Sequence, residues 1–300
     1  MSYTARELEA HVRGRVGALL PNGQRIGSLL GVGGMAAVYT LQSPEDTPLA
    51  IKVLHPHLTE EPMVRERFRR EAYAGKVVVH PGVVPVRSDG LLSSGEPYLV
   101  MDRVLGETLE TTLARPPGAI DTFEALRIAA GVLEVLHVAH SAGVLHRDIK
   151  PANLMLAKGG AVRVLDFGLA RVGTGDDWGG VDTGVGVLLG TAAYISPEQA
   201  AGHRDAIGPA TDIFAVGAVA FRAISGQLLH PGRNLAERMQ HARHKGTRSL
   251  ADVAPFTRPA VVELIDRATR ANPAERYATA LEFAMEIAAL TAPKVSKQSP

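Results

Sequence analysis

Near residue 105 the hydrophobic pattern of this 300-residue chain changes period, and that change limits the folds open to it more than any other feature. Before it, apolar residues come in short runs of β type at Ile26–Leu30, Ala37–Leu41, Leu49–Leu54 and Tyr98–Val104, split by turns carrying Gly and Pro. One helical segment interrupts them at Pro62–Val78, opened by a proline suited to a first turn and surfaced with Arg65, Glu66, Arg69 and Arg70. After residue 105 the apolar residues recur at three- and four-residue spacing, as at Leu126, Ala129, Leu133 and Leu136 within Thr122–Ala142. Similar patterns return at Thr211–Ile224, Asn234–His244, Arg258–Arg270 and Thr279–Leu290. This predicts an α+β chain, with a small β-rich lobe ahead of a larger, mainly α-helical one.

Composition narrows the function classes. Hydrophobic residues at 46% and charged residues at 21% exclude a disordered chain. Thirty-two Lys and Arg against 31 Asp and Glu leave a net charge of +1, so there is no basic excess to draw a nucleic-acid partner. The absence of cysteine removes disulfides, thiolate metal sites and a cysteine nucleophile, and suits a reducing compartment. The apolar run Ile213–Phe221 falls well short of the ~18 residues a membrane helix needs. Met1–Leu20 carries Arg6, Glu7, Glu9, Arg13 and Arg15 in place of a signal peptide's apolar core, so the expected location is cytoplasmic, with no membrane segment.

Three stretches concentrate polar chemistry. Leu30-Gly31-Val32-Gly33-Gly34-Met35-Ala36-Ala37-Val38 sets glycines between two strands, where backbone N–H groups can approach phosphates. The same glycines fit an ordinary turn. A strand rather than a helix follows them, against a dinucleotide-binding unit. Lys52 follows in Leu49-Ala50-Ile51-Lys52, where an edge-strand lysine is the alternative. Val144–Leu156 crowds His146, Arg147, Asp148, Lys150 and Asn153 between apolar triplets, although each polar group held near a core costs free energy unless partnered. Val164-Leu165-Asp166-Phe167-Gly168 then ends an apolar strand on a carboxylate.

In this order and spacing, with Gly190-Thr191-Ala192-Ala193-Tyr194-Ile195-Ser196-Pro197-Glu198 downstream, the motifs resemble those of eukaryotic-like protein serine/threonine kinases of the bacterial type, over about residues 24 to 290. The resemblance implies a two-lobe protein-kinase-like fold, with an N-lobe over 24–104 and a C-lobe over 105–290. Residues 1–23 would be an N-terminal extension and 291–300 a tail or linker.

It also implies roles. Lys52 grips the α- and β-phosphates of ATP and pairs with Glu71, for which Glu66 is the rival. Leu30, Gly31, Val32, Gly33, Gly34, Val38 and Ala50 enclose the nucleotide, Met101 stands beside the base, and Asp102 to Val104 form the hinge. Asp166 holds a Mg²⁺ (or Mn²⁺) bridging the β- and γ-phosphates, and Asn153 a second. Asp148 orients the incoming hydroxyl and takes its proton, and Lys150 neutralises the γ-phosphoryl, which points to Ser and Thr acceptors. Thr191 supports the catalytic loop, Asp212 ties down its backbone, with Thr211 as a capping neighbour, and Glu198 pairs with Arg276. Arg147 calls for an anion, and phosphorylated Thr183 is the expected one, with Asp176, Asp177 or Asp182 as substitutes.

The implied activity is transfer of the γ-phosphoryl of ATP to Ser/Thr hydroxyls of protein substrates, including a second copy of the kinase through self-association. A pseudokinase scaffold is the alternative, and a small-molecule phosphotransferase such as those acting on aminoglycosides a third. Lys150 and Gly190–Glu198 favour a protein substrate.

Three departures stand out. Ala36 replaces the third glycine of the loop, and Ser196 stands where alanine is usual. Gly75 lies where the family places Leu, Met or Ala. A glycine there predicts a loosely held helix and a Lys52–Glu71 pair formed only part of the time, since glycine costs a helix about 0.5–1 kcal/mol relative to alanine. The pairs His137/His140 and His55/His57 lack companions at metal spacing and are expected to be packing or surface residues.

Overall fold

The computed structural model describes residues 4–42, 47–167, 171–172, 192–244 and 247–292. Gly168, Thr183, Thr191 and the tail from 293 lie outside these residues. The chain opens with α1 (Ala5–Gly14), whose Thr4 cap accepts from the Glu7 N–H while the Glu7 carboxylate accepts from the Thr4 N–H. Strands β1 (Ile26–Val32), β2 (Ala36–Leu41) and β3 (Leu49–Leu54) follow, then α2 (Pro62–Val77), β4 (Val86–Leu91) and β5 (Pro97–Asp102). The five strands form one antiparallel sheet in the order β1-β2-β3-β5-β4.

Strand alternation sorts this sheet into two faces. Tyr39, Ile51, Val53 and Val100 pack on one side with Val12 of α1 and Leu20. Ala36, Leu54 and Leu99 pack on the other with Phe68 and Ala72 of α2. Lys52 shares the parity of Leu54 and so emerges on the α2 side. The segment before residue 24 is fastened to the sheet: Tyr39 Oη donates to the Val12 carbonyl at 2.9 Å, and buried Arg15 donates to the Leu54 carbonyl (2.9 Å) and to Glu96 (3.0 Å). Arg15 and Glu96 form an ion pair almost wholly out of water.

Gly75 sits where α2 crosses β4. A Cβ built on it would stand 3.1 Å from Val86 Cγ2, so the missing side chain lets α2 lie close against β4.

The second lobe begins with β6 (Gly106–Thr108), α3 (Leu109–Leu113), α4 (Thr122–Ser141) and β7 (Val144–Leu145). Strands β8 (Leu154–Ala157) and β9 (Val162–Val164) form a hairpin, to which β6 adds a third strand, and β10 (Arg171–Val172) pairs with β7. Gly106 is required there, because a Cβ would meet the Leu156 carbonyl oxygen at 2.0 Å. Helices α5 (Pro197–Ala201), α6 (Pro209–Ser225), α7 (Leu235–His244), α8 (Pro259–Ala268) and α9 (Ala280–Thr291) complete the lobe. Helix α6 is buried from Thr211 to Phe221, which accounts for its apolar run: a helix enclosed on all sides has no face to keep polar. Among the described residues no helix is long and apolar enough to cross a membrane.

The β8–β9 hairpin positions two expected metal ligands. Leu154 pairs with Val164, so Asn153, just before β8, and Asp166, just after β9, emerge from the same end of the hairpin.

Candidate active site

Between the lobes lies a cleft of about 1350 Å³. Leu30, Gly31, Val32, Gly33, Gly34, Val38, Ala50 and Lys52 line it from the sheet, Glu71 from α2, and Met101, Asp102 and Val104 from the strand-to-lobe connection. Asp148, Lys150, Asn153 and Asp166 line it from the second lobe. Residues spread over more than 130 positions of sequence thus face one space. Arg147, Glu198, Asp212 and Arg276 are not among its lining residues and act from behind it.

From the sheet, Lys52 brings a cation into the cleft and is 7% exposed. Its Nζ donates to both carboxylate oxygens of Glu71 at 2.8 Å and to Asp166 Oδ1 at 2.5 Å. Burial alone would lower the Lys52 pKa, but the two carboxylates outweigh it and hold the amine above its ordinary value. Burial likewise would raise Asp166, and the Lys52 ammonium overturns that and keeps it ionised, below the usual carboxylate range. With one ammonium serving two carboxylates, of which Glu71 is the buried one, burial and the charge of Asp166 push Glu71 the other way. Glu66, the rival partner, faces away and pairs with Arg70 at 3.0 Å within α2.

On the opposite wall, Asp148 Oδ2 accepts from Lys150 Nζ (2.8 Å) and Asn153 Nδ2 (3.1 Å), and Asn153 Nδ2 also donates to the Asp148 carbonyl at 2.8 Å. Asp148 Oδ1 is buried yet has no hydrogen-bond partner among the described residues. A buried carboxylate oxygen is costly to leave without a donor.

The loop carrying Asp148 is held by its backbone. Asp212, 0% exposed, accepts from the His146 N–H (2.9 Å), the Arg147 N–H (2.7 Å) and His140 Nε2 (2.8 Å). Burial would raise its pKa, but these donors hold it below the usual range. Arg147 and Asp166 both adopt left-handed backbone, φ 64° and 56°, uncommon for residues with a Cβ and typical of positions fixed by function. His146 ties the site together: Nε2 donates to the Leu165 carbonyl at 2.9 Å, one residue before Asp166, and Nδ1 accepts from the Asp148 N–H at 3.3 Å.

Sequence reasoning did not assign His146, His140 or Gln199. Gln199 Nε2 donates to the Arg147 carbonyl at 3.1 Å, while its Oε1 accepts from the Ser196 hydroxyl at 3.1 Å. The serine found where alanine is usual is therefore the cap of α5. No pattern signals these partners, because each bond crosses between distant segments or lies within a short loop. Thr211 takes part in the cap without being the cap residue: α6 starts at Pro209 after Gly208, and the Thr211 hydroxyl accepts from the Gly208 N–H at 3.2 Å while donating to Glu198 at 2.9 Å. Arg276 grips Glu198 through two N–H groups at 2.8 Å each and spends its remaining donors on the carbonyls of Ala210, Ala271 and Arg270. Its guanidinium also lies 4.8 Å over the Phe214 ring.

The donor set fits a hard divalent cation. Asp166 and Asn153 present oxygen ligands from one hairpin end, with the Asn153 amide nitrogen already committed to Asp148. Among the described residues no three or more His, Cys, Asp or Glu side chains gather as a metal cage. A pair of side-chain oxygen donors suits Mg²⁺, which is commonly held by one or two side chains together with substrate phosphates and water.

Comparison with known proteins accords with this arrangement. Residues 25–287 match the family model for the protein kinase domain. Serine/threonine-protein kinase PknA of Mycobacterium tuberculosis is 36% identical over 300 aligned residues, covering 95% of this chain and 66% of that protein. Serine/threonine-protein kinase PksC of Streptomyces coelicolor is 38% identical over 271 residues, covering 88% of this chain and 48% of that protein. A crystal structure of the Mycobacterium tuberculosis PknI kinase domain superposes with a TM-score of 0.71 at 25% identity, covering 91% of this chain and 97% of that one. The chain spans about two thirds of PknA and about half of PksC.

Proposed function

Because the chain belongs to the protein kinase family, we propose that it transfers the γ-phosphoryl group of ATP to serine or threonine hydroxyls of protein substrates. The observation that carries this reading is Asp148 Oδ1, buried and without a hydrogen-bond partner among the described residues, in a cleft also lined by Lys52, Asn153 and Asp166. A pseudokinase scaffold has no use for such an acceptor.

Phosphoryl transfer passes through a loose, charge-spread transition state, so positioning and electrostatics supply most of the acceleration. Leu30, Val38, Ala50 and Met101 enclose the base, with Asp102 to Val104 as the hinge, and the Gly31–Gly34 turn covers the phosphates. Lys52, oriented by Glu71, binds the α- and β-phosphates. Asp166 and Asn153 would hold Mg²⁺, which would offset the negative charge of the phosphates when bound. Asp148 Oδ1 accepts a hydrogen bond from the incoming hydroxyl and takes its proton as the new P–O bond forms and the bond from the γ-phosphorus to the β,γ-bridging oxygen breaks, so that ADP leaves with that electron pair. Lys150, fixed on Oδ2, offsets charge on the transferred group.

The proposed division of the chain is an N-lobe over 24–104, buttressed by α1, and a C-lobe over 105–290. The site of action proposed is the cytoplasm, where ATP is plentiful. Phosphorylation of a second copy at Thr183, answering Arg147, belongs to the same proposal. The test is incubation with Mg²⁺ and γ-labelled ATP, offering a protein acceptor and an aminoglycoside in parallel, with sites mapped by mass spectrometry. Label on Ser or Thr of protein supports the reading; label on the small molecule alone, or none, contradicts it.

A further inference from the structure

His55 is a buried residue that the proposed chemistry leaves without a task, and it touches the glycine turn at two points. It follows directly on β3, three residues beyond Lys52, and is 0% exposed. Its backbone N–H donates to the Met35 carbonyl at 2.8 Å, and its Nε2 lies 2.8 Å from the Gly33 carbonyl oxygen. A carbonyl only accepts, so Nε2 carries the hydrogen, which leaves Nδ1 as a bare acceptor; Nδ1 is buried without a hydrogen-bond partner among the described residues. An imidazole kept at that cost has a specific bond to make.

That bond fixes a peptide plane. In a trans peptide the C=O and the following N–H point in opposite directions. With the Gly33 carbonyl turned toward His55, the Gly34 N–H is turned away from it. Gly33 and Gly34 line the cleft and His55 does not. The N–H of Gly33 itself is already used, donating to the Ala36 carbonyl at 2.8 Å. Glycines at this tip rotate freely, so nothing in their own preferences selects this orientation of the plane.

We propose that His55 is a positioning residue for phosphate binding: by holding the Gly33 carbonyl, it aims the Gly34 amide at the polyphosphate of the nucleotide. This rests on the assignment of the Gly31–Gly34 turn as the phosphate cover. Arg15, which donates to the carbonyl of Leu54 just before His55, steadies the same piece of backbone from α1.

The test compares ATP and adenosine binding, by calorimetry, to the wild type and to His55→Gln, His55→Asn and His55→Leu. A glutamine amide reaches about as far as imidazole Nε2, whereas asparagine is polar but too short. Loss of one hydrogen bond to a phosphate-orienting peptide is expected to weaken ATP binding roughly five- to twentyfold in the Asn and Leu variants, with adenosine affinity held within about twofold and ATP affinity recovered in the Gln variant. Unchanged ATP affinity in the Asn and Leu variants overturns the proposal, as does an equal loss for adenosine, which marks His55 as packing only. A Leu variant that does not fold leaves the Asn–Gln comparison to decide. A wild type that binds ATP no more tightly than adenosine overturns the phosphate-cover assignment itself, and the proposal with it.

Discussion

Nζ of Lys52 stands 2.8 Å from both carboxylate oxygens of Glu71, with side-chain exposures of only 9% and 7%. The two come from separate elements, β3 and α2, so their distance reports whether the small lobe is assembled for phosphate binding. Lys52→Met removes the charge and is expected to lower kcat/KM roughly 10²–10³-fold, the range found when one preorganised transition-state contact is deleted. Glu71→Gln keeps a hydrogen-bond acceptor for Lys52 and is expected to cost less. Steady-state kinetics on a common protein acceptor checks both, and an equal or larger loss in the Gln variant would contradict the assigned order.

The Arg276–Glu198 pair is buried and forked, and Arg276 also ties down three carbonyls. Removing one partner leaves the other charged group uncompensated. Arg276→Ala is therefore expected to destabilise the fold by about 3–5 kcal/mol in urea unfolding. Arg276→Lys restores the charge but not the planar fork and should recover only part of this. A loss below about 1 kcal/mol in the alanine variant would show that the pair is not a keystone of the lobe.

Acid stability should follow Glu96. Burial would raise its carboxyl, but hydrogen bonds from Ser94 and Arg15 hold it down at about 2, against an ordinary 4.5. The folded state thus binds this proton less readily than the unfolded state. Its stabilising contribution is complete above the unfolded value and drains away as pH falls toward the folded one. Unfolding free energy measured from about pH 5 to about pH 3 should fall with a shallower slope in Glu96→Gln than in the wild type, whatever the absolute stability of the variant. Parallel slopes would contradict this.

Gly75 poses a balance of opposed effects. Alanine gains about 0.8–1 kcal/mol of helix propensity, while its methyl would press on Val86 Cγ2 at 3.1 Å. Gly75→Ala should therefore lie within about 1 kcal/mol of the wild type, whereas Gly75→Leu overpacks the α2–β4 contact and costs about 1–3 kcal/mol. Because α2 carries Glu71, the Leu variant should also lose activity. A fully active, stable Leu variant would show that the close approach is unimportant.

How much of this was legible in the sequence depends on where each signal resides. Lys52, Asp148, Asn153 and Asp166 are visible because charged or polar groups stand among apolar runs, a placement with a free-energy cost. The lobe division is visible because strand and helix periods differ. Strand β4 escapes, since Val86-Arg87-Ser88-Asp89-Gly90-Leu91 is a largely exposed edge strand without alternation. Helix α1 escapes because four of its ten residues are charged and its docking rests on single contacts such as that of Arg15, just past its end, with Glu96. Glu71 and Glu66 lie on one helix, and only the packing of α2 separates them. His55, His140 and Gln199 act through backbone or carboxylate partners contributed by other segments of the chain, which no local pattern encodes.

The most direct test of the account is Asp148, whose Oδ1 has no hydrogen-bond partner among the described residues. In Asp148→Asn the side chain keeps its shape but can no longer take a proton, so nucleotide affinity should persist while transfer of label from γ-labelled ATP to a protein acceptor falls by roughly 10²–10⁴-fold. Retained transfer in that variant, or no transfer by the wild type with Mg²⁺ present, would contradict the assignment of this cleft as the catalytic centre.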